Sequence, residues 1–227
     1  EGALLSGTNL VSTSWLERHL TMSSLRLFDT TVDLKTQSDG TGYLPISGYD
    51  RWAKDHIPGA GFLDVIQELS DPENSVPFMM PLAENFGRAM QRHGVADDSV
   101  VVLYGRGSPM WATRVWWLVF IMGFKRVSIL DGGFKEWQKL GYDVERGENF
   151  YNPAKFEPNI NKNVIVDKPA IIEPWQLEKL YSLAKKNNLA ISMSCVFNYH
   201  KAWEKFKNIS LNDSQQGILS ASFTIPK

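Results

Sequence analysis

The residues best suited to chemistry lie in one turn, Gly105-Arg106-Gly107-Ser108-Pro109-Met110. It follows Val100–Tyr104 (VVVLY), an apolar run that predicts a strand buried on both faces. It precedes an apolar helix expected over Trp111–Met122. Two glycines let the backbone approach a ligand closely. Successive N–H groups at a helix start make a nest for an anion, and the helix dipole reinforces it. Arg106 adds a positive charge. The same residues also suit a plain strand-to-helix turn with a surface arginine. Ser108 offers a hydroxyl but has no evident base, so it reads as a turn residue. The glycine spacing, with Asp131 after the next strand, approaches a dinucleotide fingerprint. Met110 in place of its third glycine, and Pro109 without an N–H, weaken that reading.

Other chemical residues are few. His56 precedes Ile57-Pro58 and suits a role in orienting that turn by hydrogen bonding. Cys195 is the only cysteine, which excludes an intrachain disulfide and a cysteine-rich zinc site. Its context (ISMSCVF) predicts a strand and a small buried side chain. No cofactor and no metal site is expected. Trp111, Trp116 and Trp117 are read as core and packing residues.

These residues need elements to hold them. Trp15, Leu16, His19 and Leu20 fall at helical spacing, with Ser14 or Thr13 as N-cap. Leu25–Asp29 reads as a strand and Thr36–Gly48 as a polar loop. Tyr49–His56 reads as a helical turn stopped by Pro58, and Phe62-Leu63 as a short strand. Asp71–Pro81 is a loop, and Pro81–His93 an amphipathic helix closed by Gly94. Val127–Leu130 is a second buried strand, followed by Asp131-Gly132-Gly133 and a short helix over Phe134–Leu140. Strand, turn, helix and parallel strand make a βαβ unit, so the fold class is α/β with a central parallel sheet.

The chain has 227 residues and a formal charge of −1. That balance gives no electrostatic case for nucleic acid. The longest apolar run, Val115–Gly123, falls short of the roughly 20 residues needed to span a membrane. A cytoplasmic location is expected, and Glu1-Gly2-Ala3 reads as a trimmed end. Residues 1–163 hold 16 basic and 20 acidic residues, whereas residues 164–227 hold 8 and 5. Only one of the 17 glycines lies in the second stretch. This split predicts a domain over 1–148, an extended linker over 149–163 carrying Pro153 and Pro158, and a segment of unlike composition over 164–227. In that segment strands are expected at Val164–Val166, Leu189–Val196 and Gly217–Ile225. Helices are expected at Glu173–Lys186 and His200–Ile209.

Residues 10–160 resemble the rhodanese (thiosulfate sulfurtransferase) family, most closely the first half of its tandem-domain members. The resemblance rests on Leu10-Val-Ser-Thr-Ser-Trp15-Leu, Leu25-Arg-Leu-Phe-Asp29 and His56-Ile-Pro-Gly-Ala60. It continues through Val100–Tyr104 with its loop, Met110-Trp-Ala-Thr-Arg114-Val-Trp-Trp117, and Leu130-Asp131-Gly-Gly-Phe…Trp137. It implies a three-layer domain with Asp29, His56, Arg114 and Asp131 supporting the loop. It also implies a cysteine nucleophile at the first loop position, where the nest stabilises a persulfide for transfer to a thiophilic acceptor. Here that position is Gly105. In tandem members the first domain commonly lacks the cysteine and the second supplies it. The resemblance therefore implies a non-catalytic or regulatory domain that binds a small thiosulfate-like anion or docks a partner domain. An anion- or protein-binding scaffold is the alternative.

Residues 164–226 resemble a piece of the Gfo/Idh/MocA-type oxidoreductases, through Val164-Ile-Val-Asp-Lys168-Pro-Ala170, Tyr199-His200…Trp203 and Gly217–Pro226. That resemblance implies a nicotinamide-dependent oxidoreductase fragment with Lys168 at a strand end and a short α+β architecture.

Overall fold

A computed structural model describes residues 9–159 except 39, 41, 75 and 76, together with 164–167, 182, 186 and 191–194. The chain divides into two units, Glu1–Ile160 and Asn161–Lys227.

The first unit is built on five parallel strands: β1 (Leu10–Val11), β2 (Leu25–Asp29), β5 (Gly61–Phe62), β6 (Val100–Tyr104) and β7 (Val127–Leu130). Their order is β1-β7-β6-β2-β5. β6 lies between β7 and β2 and is buried at all five positions. That is what its unbroken apolar run predicts for a strand covered on both faces. Register pairs Leu25 with Val100 and Asp29 with Tyr104, so β2 and β6 end level. Every connection of a parallel strand returns to the same edge. The turns after Asp29, Phe62, Tyr104 and Leu130 therefore gather at the carboxyl edge of the sheet, where open α/β sheets form their sites.

Alternation along β6 sorts its side chains between two faces. Val100, Val102 and Tyr104 join Leu16 of α1 (Thr13–His19) and Phe134 and Trp137 of α5 (Gly133–Lys139) in one buried cluster. The 12-residue helix α4 (Met110–Ile121) packs on β6 and β7, and none of its side chains belongs to that cluster. α2 (Tyr49–Lys54) and α3 (Ala83–Arg92) are the other helices among the described residues of this unit. The α/β class with a central parallel sheet is as expected.

Two local expectations are corrected. The N-cap of α1 is Ser12, not Ser14 or Thr13: its Oγ accepts from Trp15 N at 3.1 Å. A hydroxyl three residues before a free helical N–H is the geometry that caps. Thr36–Gly48 is not all loop. β3 (Val32–Thr36) and β4 (Tyr43–Ser47) form an antiparallel ribbon pairing Thr36 with Tyr43. Leu44 and Ile46 are exposed there, so no buried face gave this ribbon a readable alternation.

Of the stretch expected as a linker, residues 149–159 carry no helix or strand and pack on the rest of the first unit. Tyr151 Oη donates to Gly59 O at 2.7 Å and accepts from Leu27 N at 3.0 Å. Ala154 N donates to Gln91 O, and Gln91 Nε2 donates to Phe156 O at 2.8 Å. Phe156 is buried against Phe86 and Phe124. Asn159 N donates to Met122 O at 2.8 Å.

In the second unit β8 (Val164–Asp167) and β9 (Ile191–Ser194) pair in parallel, Val164 opposite Ile191. They overlap two of the expected strands. The helix expected at Glu173–Lys186 lies outside the described residues except at 182 and 186, which are helical. The helix at 200–209, the strand at 217–225, Lys168 and Cys195 lie outside them entirely.

Candidate functional site

The loop leaves the sheet beside the end of β2, and the two ends are tied together. Thr30 N donates to Tyr104 O at 2.9 Å, and Arg106 N donates to Thr31 Oγ1 at 3.2 Å. The Arg106 side chain then turns inward. Its Nε donates to Asp29 Oδ2 at 2.8 Å and Nη1 to Asp55 Oδ1 at 2.6 Å, while Nη2 donates to the Asp55 carbonyl. The guanidinium lies 4.0 Å from the centre of the Phe134 ring. Arg106 is 5% exposed as a side chain and Asp29 0%. The expected positive charge facing an anion is thus corrected. Two carboxylates from other elements draw Arg106 under the loop and neutralise it there.

The electrostatics follow from burial. Desolvation pushes the Asp29 carboxyl above its ordinary value, and Arg106 and Thr31 pull it part of the way back. Burial alone would lower the Arg106 guanidinium, but Asp29 and Asp55 hold it above its ordinary value. Burial and the nearby Asp29 charge drive the Tyr104 hydroxyl well upward. It stays neutral and accepts from Ile57 N at 3.4 Å.

The nest is also partly used. Arg106 N is taken by Thr31, and Met110 N donates to Ser108 Oγ at 3.3 Å. Met110 is the first residue of α4, not the last of the turn. Pro109 has no N–H, and Gly107 and Ser108 are exposed residues of the loop. Gly105 is not held to glycine by geometry. A Cβ there would meet Ser108 O at 3.4 Å, an ordinary contact. Its carbonyl accepts from Phe134 N at 3.0 Å, which locks the loop to α5.

Gly133 lies against this bond with φ +56°, and a Cβ there would fall 2.5 Å from Gly105 O. Gly133→Ala is expected to cost about 1–3 kcal/mol in a urea melt. An unchanged midpoint would show that the close approach is not needed.

The other expected residues sit around the loop in different ways. His56 is fully buried, stacked on Trp52 at 5.0 Å. Its Nδ1 donates to Trp52 O at 2.9 Å, and its backbone pairs with Glu145 in both directions. It orients the Ile57–Ala60 turn, and Nε2 lies 3.6 Å from Glu145 Oε2. Arg114 stands one turn into α4 and donates to the Phe78 carbonyl, tying the 71–81 loop to the helix. Asp131 is exposed at the end of β7, its N donating to Val11 O at 2.9 Å. Arg106, Asp29 and Phe134 come together, whereas Arg114 and Asp131 do not join them. Sequence reasoning missed Asp55. The signal was present in the Asp55-His56 pair, but nothing local says that it reaches across to Arg106.

A rhodanese-like domain model matches residues 12–140. The chain belongs to the rhodanese family. It is 30% identical to the thiosulfate sulfurtransferase of Rattus norvegicus over 172 residues, covering 75% of this chain and 56% of that protein. It is 31% identical to the 3-mercaptopyruvate sulfurtransferase of Escherichia coli K12 over 162 residues, covering 71% and 55%. The crystal structure of SseA, a 3-mercaptopyruvate sulfotransferase of Escherichia coli, superposes with a TM-score of 0.61 at 28% identity, covering 82% of this chain and 66% of that one. The chain spans about half the length of the curated relatives it matches. Neither the rhodanese match nor the Arg106-filled loop favours the nicotinamide reading. No helix among the described residues is long and apolar enough to cross a membrane.

Proposed function

We propose that this rhodanese-family chain serves sulfur transfer without supplying the sulfur nucleophile, as a binding or regulatory domain that pairs with a cysteine-bearing partner. One observation carries the reading. The first residue after β6, where the family resemblance implies the cysteine, is Gly105. The residue beside it, Arg106, spends its charge on Asp29 and Asp55 under the loop. Ser108 supports the same reading: it is exposed, and its Oγ serves Met110 N. Gly107 and Ser108, exposed in the loop, remain for a weak thiosulfate-like contact. The cytoplasmic placement expected from the sequence stays part of this proposal, and cell fractionation tests it.

A thiosulfate:cyanide assay tests the proposal. The chain and its Cys195→Ser variant are expected to stay at buffer background. Turnover in the wild type, whether kept or lost in Cys195→Ser, overturns the reading. Gly105→Cys has room for its Cβ, and it is expected to rise above that background. Its thiolate would attack the sulfane sulfur of thiosulfate, and sulfite would leave with the electron pair of the broken S–S bond. A folded Gly105→Cys protein with no turnover would show that the loop is not a sulfur cradle.

A further inference from the structure

A concavity of about 320 Å³ lies between α2 and α5, with Arg106 at its floor. Its rim carries Lys54 of α2 and Lys135 of α5, both exposed. Among the described residues neither ammonium has an acidic partner. Arg51 stands on the same rim, shared with Asp33 at 2.7 Å, and Gln138 adds an amide. The floor is already settled: Arg106 and Asp55 hold each other at 2.6 Å, and Arg106 covers the Phe134 ring. The lining thus brings four cations to one carboxylate, and that carboxylate is engaged.

Such an arrangement favours an anion. Two ammonium groups from separate helices face one space with no counter-charge, and an oxyanion between them relieves their repulsion. Lysines bind phosphate as point charges, without the paired geometry that arginine needs. The volume is at the small end of small-molecule sites. The four cations of the lining make charge and hydrogen bonding the main basis of selection.

We propose that this cleft binds a compact dianionic oxyanion group of the phosphate class, free or as the head of a small monoester. The site shares Arg106 with the 105–110 loop but lies off the Gly107–Met110 turn, and it does not rest on the sulfur-transfer reading. Amide NMR titrations with inorganic phosphate and with glycerol phosphate, at constant ionic strength against chloride, test it. Saturable shifts are expected at Lys54, Asp55, Lys135 and Gln138. Lys54→Gln/Lys135→Gln is expected to weaken the binding at least tenfold. Lys139→Gln, whose ammonium is shared with Glu136 at 3.2 Å, is expected to leave it unchanged. Tighter binding of the monoester identifies an esterified ligand, and equal binding a free ion. Linear shifts, affinity unaltered in the double variant, or shifts centred on residues 107–110 overturn the proposal. The double variant keeps its background in the thiosulfate assay, so the two readings fail separately.

Discussion

Arg106→Ala is expected to lower the unfolding free energy by about 3–5 kcal/mol, the usual cost of stranding one partner of a buried ion pair. Asp29 has no exposure of its own and would keep only its bonds from Thr31 N and Oγ1. The effect should depend on pH, with a definite sign. The Asp29 carboxyl is already raised in the folded state, because burial outweighs Arg106 and Thr31. A raised value means that this group's stability is full below its unfolded value of about 3.9 and is lost as pH rises through the folded one. Removing Arg106 moves the folded value further up and widens that window. Urea melts at pH 4 and pH 7 check this: the deficit of Arg106→Ala should be larger at pH 7. An equal deficit at both would exclude Asp29 as its source. Adding Asp29→Asn should recover much of the loss, because the stranded group is then neutral.

Phe156→Ala is expected to cost about 3–5 kcal/mol as well, by opening a cavity in the aromatic group with Phe86 and Phe124. Its ring is 2% exposed, and it anchors a stretch with no helix or strand of its own. Undocking should spread along the strap, because the bonds at Ala154 and Asn159 depend on the chain staying in place. Limited proteolysis between 149 and 159 should therefore accelerate together with the loss of stability. A destabilised protein whose strap stays resistant would show that Tyr151 and Asn159 hold it without Phe156. Tyr151→Phe removes one hydroxyl with two partners and should cost only about 1 kcal/mol in bonding, plus the desolvation left behind.

The sheet was readable because its signals are local. Val100–Tyr104 announces a doubly covered strand by composition alone, and Gly123 and Gly141 mark two helix ends by their left-handed φ. The ribbon β3–β4 was not readable, since Leu34, Leu44 and Ile46 stay half in solvent and Pro45 sits mid-strand. The strap is legible in the sequence as extended but not as docked, because its anchors are single aromatics without a period. At the loop, residue types and position were legible, and the missing nucleophile with them. The direction of Arg106 was not. It is decided by Asp29 at the end of β2 and Asp55 after α2, and only the assembled sheet brings those two carboxylates to one guanidinium.

The parallel sheet also fixes an order of events during synthesis. Arg106 N meets Thr31 across 75 positions, and Tyr151 meets Leu27 across 124. Contacts of this range join the sheet, so folding should be slow for a domain of this size. At about 5–20 residues per second, Leu27 leaves the ribosome roughly 6–25 s before the Tyr151 that covers it, 124 positions later. Leu27 N waits through that interval for the Tyr151 hydroxyl, and Phe86 waits 70 positions for Phe156. A chain cut short before residue 149 is therefore expected to keep those two surfaces exposed.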